Sequence, residues 1–158
     1  MRKFWTFILA IVISFIPGII GGFFSPMSPG ANVWYNGLNQ SVLTPNGWVF
    51  MIAWLILYTL LGISLFLIMN NDKTRQSKSG AYSLFVIQMC LNALWTYLFF
   101  GVQMVGGALL TLVALIVITI WMMVVFKPIS RAASFLVWPY LLWLCFALYL
   151  NGVILMLN

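Results

Sequence analysis

The chain alternates between five long apolar runs and short polar segments, and each run is long enough to cross a bilayer as a helix. A spanning helix uses about 20 residues. We predict spans at about 4–24, 47–69, 80–100, 107–126 and 132–157. These spans and their connections account for almost all of the chain. The pattern therefore predicts one domain, residues 1–158, folded as an all-α membrane protein, a bundle of five transmembrane helices.

The first run follows Arg2 and Lys3, an opening that a cleaved signal peptide shares. Its apolar stretch is longer than the usual apolar region of a signal peptide, so we expect it to be a retained helix. Pro17 and Gly18 predict a kink or a break within it. Gly18 and Gly22 also form a G-x-x-x-G pattern, which allows close approach of another helix within the molecule or in a dimer.

Composition excludes a water-soluble domain. Hydrophobic residues make up 65% of the chain and charged residues 5%, whereas a soluble domain has roughly a quarter of its residues charged. The net charge of +6 invites a nucleic-acid interpretation. However, the basic residues lie in short segments between the apolar runs and form no continuous face, so no nucleic-acid partner is expected.

The distribution of charge predicts the orientation. All seven Lys and Arg residues fall in the N-terminus, the second connection and the fourth connection, which lie on one side of a five-helix bundle. The positive-inside rule places that side in the cytoplasm, with the C-terminus outside. We expect an integral, multi-pass protein. A short chain without an organelle-targeting extension favours a bacterial plasma membrane.

The first connection, residues 25–46, is uncharged and rich in Pro, Gly and Asn. It is too long for a tight turn, and loops of this length are often functional lids. Trp34 and Tyr35 are large residues that a simple linker would not need. We therefore predict a lid that covers the outer end of the bundle.

The third run carries an amide and aromatic face. Gln88 and Asn92 lie one helical turn apart, and Trp95 and Phe99 continue the same stripe. An unpaired primary amide in hydrocarbon costs several kcal/mol, so both amides must point into the bundle. They could bond neighbouring helices or line a ligand site, and the sequence leaves both alternatives open.

The second and fifth runs repeat this pattern. Aromatic residues recur in the second run at Trp48, Trp54 and Tyr58. The fifth run places two aromatics, a small residue and an amide on one side: Tyr140, Trp143, Ala147 and Asn151. Each stripe alone could be a packed core. Together, beneath the predicted lid, they favour a cleft for a large, flat, mostly apolar ligand.

Conventional catalytic groups are absent from the sequence. It contains no His, and its one acidic residue, Asp72, lies in a connection. General acid–base catalysis, proton-coupled transport and histidine ligation of an iron porphyrin are therefore not expected. Cys90 and Cys145 lie far apart in apolar runs, which predicts two small packing residues and neither a disulfide nor a metal site.

Three segments resemble the tryptophan-rich sensory protein family, which is also the translocator protein or peripheral-type benzodiazepine receptor family. In the first loop and second helix the matching residues are Trp34-Tyr35-x-x-Leu38, Pro45, Trp48, Val49, Trp54 and Leu57-Tyr58. In the third helix they are Gln88-x-x-Leu91-Asn92-x-x-Trp95-x-x-x-Phe99-Phe100-Gly101. In the fifth they are Pro139-Tyr140-Leu141-x-Trp143-x-x-Phe146-Ala147-x-x-Leu150-Asn151.

The resemblance implies a five-helix bundle, commonly a homodimer, that binds tetrapyrroles such as protoporphyrin IX or haem as ligands and requires no cofactor. Animal relatives also bind sterol and synthetic isoquinoline ligands. Some bacterial relatives promote light-dependent degradation of protoporphyrin, which would make Trp54 and Trp143 photochemical catalytic residues. The leading hypothesis is a receptor- or translocator-type protein that binds tetrapyrroles in their transport, sensing or degradation; a photochemical porphyrin-degrading enzyme and a purely structural membrane subunit are the alternatives. Unlike the family's usual lid, this one has Gln40-Ser41 in place of Lys-Pro and so lacks a basic partner for a ligand carboxylate.

Overall fold

The computed structural model describes residues 1–24, 33–72 and 75–158, and helices are the regular structure found in this part of the chain. A π-helical turn, Tyr97–Gly101, continues one of them. The α-helices are Arg2–Phe24, Val33–Asn36, Gly47–Met69, Arg75–Thr96, Val105–Phe126, Arg131–Leu136 and Trp138–Leu157.

Five segments of the described chain are long and apolar enough to span a membrane. They are Arg2–Phe24, Gly47–Met69, Lys78–Gly101, Val105–Phe126 and Arg131–Leu157, which we number as the first to fifth spanning helices. The predicted class, an all-α bundle of five transmembrane helices, is confirmed. Each observed bound lies within a few residues of its prediction, as expected for spans that composition alone defines.

The spanning helices form a ring that is tight at one end and looser at the other. The first packs on the second and third, the third on the fourth, and the fourth on the fifth. The fifth closes the ring on the second mainly through Arg131–Leu136. There the Ser64 hydroxyl donates to the Ala133 carbonyl at 2.8 Å. Trp138–Leu157 and the second helix approach each other much less, so the ring opens toward the end with the first loop.

Two prolines act differently in their helices. The first helix runs unbroken through Pro17, so a break there is wrong. The fifth is interrupted at Val137, directly before the segment in which Pro139 occupies the first turn. Proline is tolerated in a first turn because the N–H that it lacks would have no helical partner there.

The two cysteines do not pack in the core. Cys90 and Cys145 are both unpaired and exposed on the bundle, so the prediction of small packing residues is wrong. A thiol is apolar enough to lie in lipid as readily as in a protein interior. The apolar run alone therefore does not show whether a cysteine faces lipid or the core. In the fourth helix the Thr111 hydroxyl donates to the Gly107 carbonyl at 2.9 Å, a bond within its own helix.

Lys78 caps the end of the second helix. Its side chain is buried, and its ammonium donates to the carbonyls of Met69 (3.3 Å) and Asn71 (3.1 Å). Because a cation also complements the negative end of a helix dipole, we expect Lys78→Met to lower the free energy of unfolding by about 1.5–3 kcal/mol. Thermal unfolding in detergent measures this. Lys127→Met, which removes an exposed cation, is the control, and an equal loss in both variants contradicts the prediction.

Candidate ligand cavity

The loose end of the bundle contains a cavity of about 670 Å³. Its walls come from the later turns of the first, third and fifth helices and from the first turns of the second, and residues of the first loop lie across its top. This volume is within the range of about 300–1,000 Å³ found for small-molecule sites. The described residues that line it carry no charge.

Aromatic rings form one continuous wall of the cavity. Trp54 stacks on Tyr58 with ring centroids 5.2 Å apart and lies 6.2 Å from Trp95. Trp95 stacks on Phe99 at 5.9 Å, and Phe99 meets Phe100 edge to face at 4.8 Å. The π turn Tyr97–Gly101 contains the last two rings, and both line the cavity. Such a wall offers ring faces and edges to a planar molecule.

Asn151 fixes the orientation of this wall. Its Oδ1 accepts from the Trp95 indole N–H at 3.3 Å, and its Nδ2 donates to the Val105 carbonyl at 3.0 Å. The amide therefore ties the fifth helix to the third and to the start of the fourth. Because both of its polar atoms are already bonded, Asn151 contributes mainly to the position of Trp95.

A buried hydrogen-bonded chain joins three helices beneath the aromatic wall. The Tyr58 hydroxyl donates to Asn92 Oδ1 at 2.8 Å, and Asn92 Nδ2 donates to the Tyr140 hydroxyl oxygen at 2.9 Å. Gln88 is fully buried beside that hydroxyl. Neither polar atom of Gln88 meets hydrogen-bond geometry with another described residue, although the Tyr140 hydroxyl lies close enough to interact with its amide. This chain connects the second, third and fifth helices below the cavity.

The described part of the first loop is fastened to the end of the fifth helix. The Asn39 backbone N–H donates to Asn158 Oδ1 at 2.9 Å, and Asn158 Nδ2 donates to the Asn39 carbonyl at 3.1 Å. Ser41 and Tyr149 share a hydrogen bond of 2.9 Å. These contacts hold the loop over the bundle end, in the position that the predicted lid requires.

Trp34 and Tyr35 pack onto the third helix from above. Both rings meet Phe99 edge to face, at 5.6 and 6.0 Å. Tyr35 lines the cavity, and Gln40 Nε2 donates to its carbonyl at 2.6 Å. Burial raises the pKa of the Tyr35 phenol, so the ring remains neutral at physiological pH.

The structure divides the predicted ligand-binding residues into two groups. Seven line the cavity: Tyr35, Trp54, Tyr58, Trp95, Phe99, Ala147 and Asn151. The others are not part of its lining: Trp34, Trp48, Gln88, Asn92, Tyr140 and Trp143. Of this second group, Asn92, Tyr140 and Gln88 form the layer beneath, and Trp34 supports Phe99 from above.

Trp48 and Trp143 are not part of the cavity lining. Trp48 lies in the first turn of the second helix and is 58% exposed. Trp143 faces a separate apolar groove between the second and fifth helices. Its ring also lies 5.7 Å from that of Phe50 and 6.3 Å from that of Trp54, two residues that line the cavity. A ligand-binding role for these two tryptophans therefore stays a prediction.

The sequence interpretation did not include the first helix in the site. The cavity is also lined by Phe15, Pro17, Gly18, Gly21 and Gly22 of that helix and by Phe50, Thr96, Leu150 and Ile154 of the others. The sequence does contain one feature that indicates this part of the site. Three glycines within five residues remove side chains from one part of a spanning helix and so leave space beside it.

The described structure defines a multi-pass membrane protein whose helices enclose an uncharged, aromatic-walled cavity. A model of the TspO/MBR family matches residues 9–157. The chain belongs to this family of integral membrane proteins. It is 38% identical to the tryptophan-rich protein TspO of Archaeoglobus fulgidus over 89% of both chains. It is 32% identical to the protein of that name from Chlorobaculum tepidum over 99% of this chain and 98% of the relative. It is also 31% identical to the translocator protein of Sus scrofa, over 90% of this chain and 85% of the relative.

Proposed function

We propose that this protein binds a flat, largely apolar molecule inside the bundle, with tetrapyrroles such as protoporphyrin IX or haem as the principal class. One observation carries the proposal: Trp54, Tyr58, Trp95 and Phe99 form a continuous wall of a cavity whose described lining residues carry no charge. Ring stacking contributes about 0.5–1.5 kcal/mol per aromatic pair beyond burial. Sterol and isoquinoline-type molecules share the size and apolar character that this wall would accept.

The uncharged lining predicts where a tetrapyrrole's carboxylates would lie. Burying a carboxylate without a partner is strongly unfavourable, and the described lining residues offer no cation. We expect the macrocycle to lie along the aromatic wall, with its carboxylates near Asn36, Gln40 and Thr44 at the top. A neutral porphyrin ester should consequently bind at least as tightly as the free acid.

Binding can be tested by filling the cavity. Ala147 is buried and lines it, whereas Cys145 is exposed on the same helix. We expect Ala147→Phe to weaken binding of protoporphyrin by about tenfold or more, because overpacking costs about 1–3 kcal/mol. The measurement is saturable quenching of tryptophan fluorescence in detergent. Cys145→Phe is the matched control, and equal affinity in the two variants contradicts the proposed site.

Light-dependent degradation of the bound porphyrin is a second candidate function. Trp54 lines the cavity, and its ring lies 6.3 Å from that of Trp143, which is outside the lining. Two adjacent indoles of this kind could exchange electrons with an excited macrocycle. The observable is loss of the porphyrin's main absorption band under illumination. Equal loss with Trp54→Phe, or with free tryptophan alone, contradicts a catalytic role.

The ends of the bundle differ in charge, and we propose an orientation from this difference. Arg2, Lys3, Lys127 and Arg131 lie at one end, and the loop over the cavity lies at the other. The positive-inside rule then places the N-terminus in the cytoplasm and the cavity end outside, in a bacterial plasma membrane. A homodimer is the proposed assembly. Reporter fusions at the two termini test the orientation, and cytoplasmic activity of a C-terminal fusion contradicts it.

A further inference from the structure

The first and second helices touch at the tight end of the bundle and separate toward the cavity. A Cβ added at Gly62 would lie 2.7 Å from the Ile11 side chain and 3.0 Å from its Cα. Farther along, a Cβ at Gly18 would lie 2.7 Å from the Tyr58 ring. One turn later, a Cβ at Gly22 would meet no described atom within 4 Å. These positions show a gap that widens along the first helix.

The first helix instead follows the third helix at its far end. A Cβ at Gly21 would lie 3.0 Å from Thr96 Cγ2, and one at Gly101 would lie 3.1 Å from the Phe24 ring. Phe24 also meets Tyr97 edge to face at 5.2 Å. Because the first helix leans on the third, the wall between the first and second helices stays open at the depth of the cavity.

The opening reaches the outer surface of the bundle. Ile19, Gly22, Met51 and Leu55 all line the cavity, and all four are exposed on the outside; Ile19 is 61% and Leu55 49% exposed. These residues belong to spanning helices, so their exposed sides face lipid. We call the opening bounded by these four residues the side gap. Its walls are entirely apolar.

The side gap and the loop offer different routes to the cavity. Over the bundle end, the loop is fastened by the Asn39–Asn158 pair and by the hydrogen bond between Ser41 and Tyr149. We propose that ligands enter and leave through the side gap, directly from the hydrocarbon of the bilayer. Such a route favours neutral, lipid-dissolved molecules over charged ones, because a charge crossing an apolar gap would lose its hydration. We therefore expect a porphyrin free acid to enter with its carboxyl groups protonated, and more slowly than its neutral ester. The identity of the ligand rests on the proposed function; the route does not.

Gly22 provides a test with a matched control. Gly80 is also a helical glycine with nothing within 4 Å of an added Cβ, and it lies at the opposite end of the bundle. Gly22→Leu and Gly80→Leu therefore make the same chemical change at two helical positions that both have space for a Cβ. Protoporphyrin dimethyl ester, dissolved in vesicles, is mixed with vesicles that contain the protein, and tryptophan quenching is followed in time. We expect Gly22→Leu to slow association and dissociation by at least about fivefold, a difference of about 1 kcal/mol in the barrier, and Gly80→Leu to leave both rates unchanged. Unchanged rates in Gly22→Leu overturn the route.

A second measurement does not depend on tetrapyrrole binding. In a background with Cys90→Ala and Cys145→Ala, Ala147→Cys places one thiol in the cavity lining. The side gap predicts that N-phenylmaleimide, which partitions into the bilayer, labels this thiol faster than a sulfonated, membrane-impermeant maleimide. Adding Gly22→Leu should slow the apolar reagent, whereas adding Gly80→Leu should not. Faster labelling by the charged reagent overturns the route. Normal labelling without porphyrin quenching would refute the proposed ligand class alone.

Discussion

Replacing Asn92 by leucine is expected to lower the free energy of unfolding by about 2–5 kcal/mol. The side chain is fully buried and bonds the hydroxyls of Tyr58 and Tyr140 on two other helices. Leucine has a similar volume, so the main loss is polar. Each stranded buried hydroxyl costs about 1–3 kcal/mol. Thermal and denaturant unfolding in detergent measure the loss.

Removing the two tyrosine hydroxyls as well should restore part of the stability that Asn92→Leu loses. Adding Tyr58→Phe and Tyr140→Phe to Asn92→Leu removes both stranded hydroxyls, and replacing all partners of a buried network by apolar groups is often nearly neutral. We therefore expect the triple variant to be more stable than Asn92→Leu alone. If it is less stable still, the hydroxyls have other partners, and the interpretation of this network is wrong.

Gln88 provides the contrasting case one turn away. It is as deeply buried as Asn92, but its two polar atoms have no hydrogen-bond partner in the part of the chain that the structure describes. Removing an unsatisfied amide relieves its desolvation cost, so Gln88→Leu should maintain or raise stability. Destabilisation equal to that of Asn92→Leu would instead show that the neighbouring Tyr140 hydroxyl, a water molecule or a ligand bonds this amide.

The sequence predicts the fold well because a bilayer imposes a simple requirement. Each spanning helix needs about 20 apolar residues, so the end of each run marks the end of a helix within a turn. Orientation inside the bundle is harder to predict. Trp48 and Trp143 belong to aromatic runs and are not part of the cavity lining. Leu55 and Leu150, each seven residues farther along the same helix and so only about 20° away around it, both line the cavity. Position around one helix therefore does not decide which side chains reach the cavity.

For the buried amides of the third helix, the sequence left two alternatives open: bonding to neighbouring helices or lining a ligand site. The cost of burying an amide correctly places Gln88 and Asn92 inside the bundle. Any hydrogen-bond partner offsets the cost of burying an amide. The cost therefore does not show whether the partner is a ligand or a tyrosine on another helix. Asn92 bonds two tyrosines, which is the interhelical role. The cavity lies above it, where Trp95 and Phe99 continue the stripe.

The first helix shows a second limit of sequence interpretation. Its contribution to the cavity consists largely of side chains that are missing, at Gly18, Gly21 and Gly22. Attention to amides and aromatics overlooks such positions. A glycine can allow a neighbouring helix to pack closely, or it can leave empty space beside its own helix. The position of the neighbouring helix decides which of the two occurs. In this protein both uses occur within one turn, at Gly18 and Gly22.

Gly62→Ala should destabilise the bundle, because no space exists for even one methyl group. The added Cβ would lie 2.7 Å from Ile11 Cδ1, 2.8 Å from Ser14 Oγ and 3.0 Å from Ile11 Cα. A backbone atom cannot move aside as a flexible side chain can, so the first and second helices must separate. We expect a loss of about 1–3 kcal/mol in the free energy of unfolding, typical of overpacking in a well-packed interior.

The control for Gly62→Ala is the same substitution where space exists. Gly80→Ala meets no described atom within 4 Å, so it should raise stability by about 0.5–1 kcal/mol through the better helix propensity of alanine. Gly62→Ala gains the same propensity, so the difference between the two variants isolates the helix–helix contact. Since the first and second helices separate from this contact toward the side gap, Gly62→Ala should also widen the gap and accelerate ligand association. Equal stability in the two variants would show that the helices do not meet at Gly62.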